Sequence, residues 1–514
     1  MNSTRLRFFF NRYWILFVLI AIKFILQFTL VNPVYELHRD EFLHLDQAFH
    51  PAAGYISTPP FTSWIASVIY FFGGGLFWIR FFPAFFGVLT IVFTWLIVEE
   101  FGGKMPAKIL TSISLIFSIY IRLNVLFQPN AFDILAWTII FFLTIKYIKK
   151  QQVNWLFLLS LIIALALYNK YTIVFLIIGL ILGLLLTEQR IVFKKRAFYI
   201  SIALSLLIIL PNIFWQIKNH FPVIYHMQAL NESQLVNVNR IDFLFDQVKF
   251  GVIGILTLAA IWALVFFKPF RSFRFIGWTF AIVMILFTIS RAKSYYTLGL
   301  YPVLFALGSV YLEVIFKKWR IVLITVLALI NIVVFFVIVK YLMPFQNPSE
   351  IIANRKVYEK MGLLRWEDGK NHLLPQDFAD MIGWREMAEK SLIAYKMIPT
   401  NELENTLIYC DNYGQTGALN YYNRTKMPEA YSFNTDYIYW LPDLKNIKNI
   451  VFIGNLPSKE VMDMFKDFKL VGVVENEFAR ERGTKIFLLM GANPDFTEWF
   501  YKKAEERKRN FNIF

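Results

Sequence analysis

The chain has 514 residues, of which 57% are hydrophobic, 18% aromatic and only 17% charged, with a mean hydropathy of +0.51 and a formal net charge of +16. Soluble domains carry about a quarter charged residues, so this composition excludes an ordinary water-soluble protein. The charge is uneven: residues 1–344 hold 29 Lys+Arg against 12 Asp+Glu, and residues 345–514 hold 23 against 24. Because the excess sits in short loops between apolar runs, it reads as orientation in a membrane and not as a nucleic-acid surface.

In chain order, apolar runs predict about eleven spans near 13–31, 79–98, 107–121, 131–147, 153–168, 171–187, 198–216, 249–267, 275–290, 298–316 and 320–341. The first lacks a small-residue cleavage site and reads as a retained span, not a signal peptide. Arg5, Arg7 and Arg12 precede it, and Lys104/Lys108, Lys146/Lys149/Lys150, Arg190/Lys194/Lys195/Arg196, Lys268/Arg271/Arg274 and Lys317/Lys318/Arg320 fill alternate loops. The positive-inside rule makes that side cytoplasmic, and an odd number of spans puts the C-terminal region outside.

The first outside loop, roughly 32–78, contains the apolar stretch Phe61 to Phe72, too short to span and expected as an interfacial helix. A second long, polar outside loop covers about 217–248. After Pro344 and Pro348 the composition turns soluble, and strands at Thr406–Tyr409, Ile450–Ile453, Leu470–Val474 and Lys485–Leu489 alternate with helical stretches. The expectation is therefore a polytopic α-helical membrane domain, 1–344, followed by an extracytoplasmic α/β domain, 345–514. Cys410, the only cysteine, excludes an intramolecular disulfide.

Four of the twelve acids of residues 1–344, Glu36, Asp40, Glu41 and Asp46, crowd into eleven positions beside His38, Arg39, His44 and His50. Crowded acids repel one another unless a cation or proton is shared. On a helix Asp40 would share a face with His44, and Asp46 with His50. Such pairs suit a divalent metal and equally suit salt bridges, and a merely solvated charged loop is the plain alternative. Outside cations are scarce: Lys170 lies within Tyr168-Asn169-Lys170-Tyr171, Arg291 and Lys293 precede Ser294-Tyr295-Tyr296, and Arg122 heads another loop. Cations beside aromatic rings at the lipid boundary suit a phosphate head group, with snorkelling to ordinary lipid as the alternative. Lys23, with Gln27 one turn on, is an intramembrane charge, either paired in the bundle or near a lipid-phosphate path.

His38-Arg39-Asp40-Glu41-Phe42-Leu43-His44 followed by Gly54-Tyr55-Ile56-Ser57-Thr58-Pro59-Pro60-Phe61 resembles the first external loop of the C-type membrane glycosyltransferases. That group includes the protein O-mannosyltransferases and the bacterial lipid A aminoarabinose transferases. The resemblance continues through Asn124–Asp133, Asn169–Thr172, Pro211–Gln216 and Lys293–Tyr296, and then through Leu374–Met381, Asn412–Ala418 and Tyr437–Trp440 of the outside domain. Members often carry a second Asp where this chain has Asn130, with Asp133 one helical turn on. Aminoarabinose transferases place an acid and a lysine where this chain reads Thr58 and Pro59, which puts that particular sugar in question.

The resemblance implies transfer of a sugar from a polyprenyl-phosphate donor to a cell-envelope glycan, lipid or protein acceptor in the bacterial cytoplasmic membrane, on its outer side. Membrane lipid is then a partner and nucleic acid is not, and no cofactor or metal is expected. It further implies Asp40 as base, with Glu41 orienting the acceptor or its neighbour. Lys170, Arg291, Lys293, Tyr295 and Tyr296 would hold the phosphate, and His38, His44, Tyr55, Asn130 and Asp133 would touch acceptor or sugar. A transporter or flippase of lipid-linked glycans is the alternative, although no internal repeat supports it.

Overall fold

The computed structural model describes residues 3–249 and 254–509. Contacts divide the chain into two compact units, one of residues 1–31, 72–214 and 235–345, the other of 32–71, 215–234 and 346–514.

The first unit is helical. Each of the eleven predicted spans carries an apolar helix, although residues 250–253 of the span near 249–267 lie outside the described residues. Among the described residues six helices are long and apolar enough to cross a bilayer, and a seventh follows if Ile173–Leu185 and Glu188–Lys194, bent by 107°, form one span. Met105–Ile116 and Ile255–Phe266, with twelve residues each, rise only about 18 Å and fall short of a hydrocarbon core of roughly 30 Å. Small residues bring the helices together. A Cβ on Gly179 would meet Val283 at 2.6 Å, and one on Gly183 the Phe275 carbonyl at 2.6 Å. The Gly-x-x-x-Gly face therefore lets Ile173–Leu185 lie against Arg274–Ile289, where Thr279 Oγ1 donates to the Gly179 carbonyl at 3.2 Å. At the ends next to the lysine-rich loops, Lys108 pairs with Glu99 at 2.6 Å and Lys146 with Glu100 at 2.8 Å.

Lys23 is buried in this unit, and its Nζ has no hydrogen-bond partner among the described residues. It borders a small cavity with Thr90, Tyr120 and Asn124. Of the two alternatives for Lys23, pairing within the bundle is not found among the described residues.

The second unit is built on a five-stranded sheet in the order β2-β1-β3-β5-β4, with β1 Thr406–Cys410, β2 Ala430–Tyr431, β3 Asn449–Gly454, β4 Phe465–Val473 and β5 Lys485–Ala492. β2, β1 and β3 are parallel, whereas β5 and β4 run antiparallel. Leu407, Ile450, Phe487 and Leu489 face Phe496 and Phe500 of the helix Phe496–Arg509, and Ile56 of the segment before Phe61–Phe71 joins that core. The segment around Ile56 is pinned by Asp436, whose carboxylate accepts from the Ile56 amide at 2.5 Å, Ser57 Oγ at 2.7 Å and Gln47 Nε2 at 2.9 Å. A helix is present at the stretch expected to be interfacial, Phe61–Phe71. The stretch expected as a long polar loop is largely helical, with Pro222–Ser233 in this unit and Arg240–Lys249 in the first.

Candidate functional site

The crowded acids form one short helix, Arg39–Asp46, started by a capping box in which His38 Nδ1 accepts from the Asp40 amide (3.2 Å) and Glu41 accepts from the His38 amide (2.7 Å). It packs on the helix Tyr413–Asn423, where a Cβ on Gly417 would meet Phe42 at 2.8 Å. Phe42 lies edge-on to Trp384.

The four acids separate by role. Glu36 accepts from the amides of Gly383 (3.2 Å) and Arg385 (2.8 Å) and from the Tyr422 hydroxyl (3.0 Å). Glu41 is fully buried as the cap. Asp46, also buried, accepts from Asn420 at 2.6 Å and pairs with Arg424. These bonds account for three acids as architecture. Asp40 differs: its side chain is 37% exposed, and its Oδ1 accepts from the Tyr413 hydroxyl at 2.7 Å. Burial pushes the Asp40 carboxyl up, but His38, Arg39 and the Tyr413 hydroxyl outweigh it and hold it at about 2. Asp40 is therefore ionised throughout the physiological range.

A shell that no sequence pattern marked as chemical surrounds Asp40. His38 Nε2 lies 3.7 Å from Asp380 and 3.9 Å from Asp377. Asp380, almost fully buried, takes Arg480 Nη1 on both oxygens at 3.1 Å, while burial raises its own carboxyl. The Arg39 guanidinium stands 4.5 Å from the Tyr413 ring centre. Asp377, Asp380 and Tyr413 all fall in segments that carried the family resemblance, which was the available signal.

Several expected contacts are placed elsewhere. His44 is buried against Gln47 Oε1 at 3.3 Å, and burial lowers its imidazole. Tyr55 is 2% exposed and donates to the carbonyls of Gln47 (3.0 Å) and His50 (2.9 Å), so it holds the loop and offers no surface to a sugar. Nor is Asp46 paired with His50 in a bond: His50 Nε2 meets Glu429 at 2.7 Å and its ring stacks on Trp440. Among the described residues no three His, Cys, Asp or Glu side chains converge as metal ligands.

Tyr413→Phe separates positioning from architecture. Losing the hydrogen bond that favours the carboxylate raises the Asp40 pKa, and the base that the resemblance implies works only when ionised. The acid limb of a pH–rate profile should therefore move to higher pH, with a stability cost on the order of 1 kcal/mol. An unmoved limb would detach Tyr413 from Asp40.

A second cluster lies in the helical unit. Lys170 follows the helix Val153–Asn169 in extended conformation, and its Nζ donates to Asn130 Oδ1 at 2.8 Å. The ammonium sits 4.0 Å from the Tyr296 ring centre and 5.4 Å from that of Tyr295. Asn130 opens the helix Pro129–Lys150; one turn on, Asp133 is buried and accepts from Trp137 Nε1 at 3.0 Å. Lys293 caps the 3₁₀ turn Ser294–Leu300 and is half-buried. Arg291, left-handed at φ 50°, reaches the Val236 carbonyl at 3.5 Å. The structure thus brings Lys170, Asn130, Tyr295 and Tyr296 together and places the Arg291 guanidinium on the 235–237 turn.

Residues 57–215 match the family described as dolichyl-phosphate-mannose-protein mannosyltransferase. A lipid A galacturonosyltransferase, RgtD, of Rhizobium johnstonii is 23% identical over 257 residues, 47% of this chain; the match spans about half (53%) of that relative's length. The fold is that of ArnT from Cupriavidus metallidurans, solved with undecaprenyl phosphate, with a TM-score of 0.61 and 14% identity over 93% of this chain and 98% of that one. The oligosaccharyltransferase AglB of Archaeoglobus fulgidus, solved with an inhibitory peptide and a dolichol-phosphate, is similar at a TM-score of 0.51 and 11% identity, over 86% of this chain and 70% of that one. Together these similarities support the C-type membrane glycosyltransferases as the group this chain resembles.

Proposed function

We propose that this chain, similar in fold and in its matched segment to the C-type membrane glycosyltransferases, moves a sugar from a polyprenyl-phosphate carrier to an acceptor hydroxyl on the non-cytoplasmic side of the bacterial cytoplasmic membrane. The observation that carries the reading is Asp40, the acid of the cluster that combines ionisation, partial exposure and a hydroxyl partner at 2.7 Å. The Tyr413 hydroxyl is the geometry that an acceptor hydroxyl needs in order to hand over its proton.

In the proposed step the acceptor oxygen attacks the anomeric carbon while its proton passes to Asp40. The bond from that carbon to the phosphate oxygen breaks, and the anomeric centre inverts. One further negative charge develops on the departing polyprenyl phosphate, and Lys170 on its two tyrosine rings is the group proposed to offset it. Lys293 is proposed to add a second charge. Glu41 keeps its cap and acts only by holding the turn that carries Asp40. The acceptor is a glycan, lipid or protein of the envelope. The test is a panel of labelled polyprenyl-phosphate sugars incubated with purified protein and envelope extract. Label passing into an extractable acceptor supports the reading, and label left on every donor overturns it.

Eleven crossings with the N-terminus inside and the sheet-bearing unit outside belong to the same proposal. Cys410 is fully buried on β1. An impermeant maleimide applied to mildly unfolded spheroplasts should label it before the membrane is permeabilised. Protection until permeabilisation would reverse the topology.

A further inference from the structure

The sheet offers a crevice that none of the residues around Asp40 lines. The chain leaving β1 enters the helix Tyr413–Asn423 and returns in β2 on one side; the chain leaving β3, on the other side, turns through 455–464 toward β4. Where connections from adjacent parallel strands part, the carboxyl ends of the strands leave a natural ligand site. Here that place is a cavity of about 480 Å³, within the range of small-molecule sites.

Its walls have a definite chemistry. Tyr409 of β1 and Phe452 of β3, both half-buried, are stacked with ring centres 5.8 Å apart and line the cavity floor with aromatic surface. Asp411 at the end of β1 accepts from the Asn455 amide at 2.7 Å, and Glu460 accepts from Trp499 Nε1 at 2.8 Å. Opposite, on the helix Phe496–Arg509, Lys503 and Arg507 border the cavity, and the Arg507 guanidinium lies 5.4 Å from the Phe433 ring centre. The acids Asp411, Glu460 and Glu506 and the cations Lys503 and Arg507 all border the cavity, so neither a phosphate nor a bare cation is favoured. A neutral pyranose presents what the walls complement: one apolar ring face for the aromatic floor, and hydroxyls that both donate to Asp411 and accept from Arg507.

We propose that this crevice is a saccharide-binding groove in which the outer unit holds a sugar residue of the acceptor. The proposal rests on the transferase reading and narrows its acceptor to a glycan or glycolipid. Full-length protein in an amine-oxide detergent, which avoids the sugar head groups of maltosides, is applied to an array of neutral and acidic bacterial oligosaccharides. Hits are titrated by tryptophan fluorescence against Asp411→Asn and Arg507→Gln, whose exposed side chains leave folding intact by thermal melting. Binding that weakens by about tenfold or more in each variant is expected, the loss of one charge-assisted hydrogen bond. No bound saccharide, binding untouched by both changes, or capture of an unglycosylated peptide panel in preference to sugars would overturn the groove. Release of polyprenyl phosphate from the donor, measured on the same preparation, tests the transferase reading separately. Release without saccharide binding removes the groove alone, while saccharide binding without release leaves the groove and removes the transfer.

Discussion

Replacing Asp40 with asparagine should lower turnover by about 10²-fold or more while donor binding and folding persist. Asparagine keeps the size of the side chain and can still take the Tyr413 hydrogen bond, but it cannot accept a proton. General-base assistance spans about 10²–10⁴, and Brønsted behaviour places Asp40 toward the low end. A carboxylate held at about 2 is always available yet weakly basic until an arriving acceptor displaces water from its exposed edge. The stability cost is small, because the lost charge lies in the first helical turn, where a partly exposed acid contributes about 0.3–1 kcal/mol. Glu41→Gln makes the control. Glutamine serves the same capping box, so turnover should stay near the parent value. Rates and melting curves of the two variants decide the matter. Equal losses in both would mean that the turn, not the Asp40 carboxylate, is what matters.

The second large effect belongs to Lys170. Lys170→Met keeps the length of the side chain and its packing on Tyr295 and Tyr296 but removes the charge. Donor affinity should fall by about 10–100-fold, the scale of a charge-assisted contact of 1.5–3 kcal/mol. Turnover should fall as well, since charge on the phosphate grows as the bond breaks. Arg291→Ala should leave donor affinity within about twofold, because its guanidinium reaches the Val236 carbonyl, whereas the Lys170 ammonium lies on the tyrosine rings; a twofold change is only about 0.4 kcal/mol. From the sequence Arg291 and Lys170 look alike, both cations near aromatic residues. The left-handed turn at Arg291 is what separates them. Donor titration of the two variants reads the difference, and a larger loss at Arg291 would reverse the assignment.

The apolar helices were legible because hydropathy is a property of consecutive residues, and β1, β3 and β5 were legible as short apolar runs. β2 has only two residues and leaves no pattern, and β4 begins five residues before the expected Leu470 because Phe465-Lys466-Asp467-Phe468-Lys469 reads as surface. The acid-rich segment was legible as a cluster of charges but not as a structure. Nothing local says that Asp46 meets Arg424, 378 residues on, or that Tyr422, 386 residues on, binds Glu36. Tertiary partners at that distance sorted four similar acids into three structural ones and Asp40. Tyr55 misled for the same reason. An aromatic hydroxyl in a loop looks available until the carbonyls of Gln47 and His50 take it.

The most direct test of the central claim is to count free polyprenyl phosphate. Purified protein, a polyprenyl-phosphate sugar and envelope acceptor are mixed, and the carrier lipid is quantified by mass spectrometry against glycosylated product. The account predicts one free polyprenyl phosphate per sugar transferred with the parent protein and about a hundredfold less with Asp40→Asn. Donor moved across vesicles with its sugar still attached, and no free carrier in either case, would contradict it.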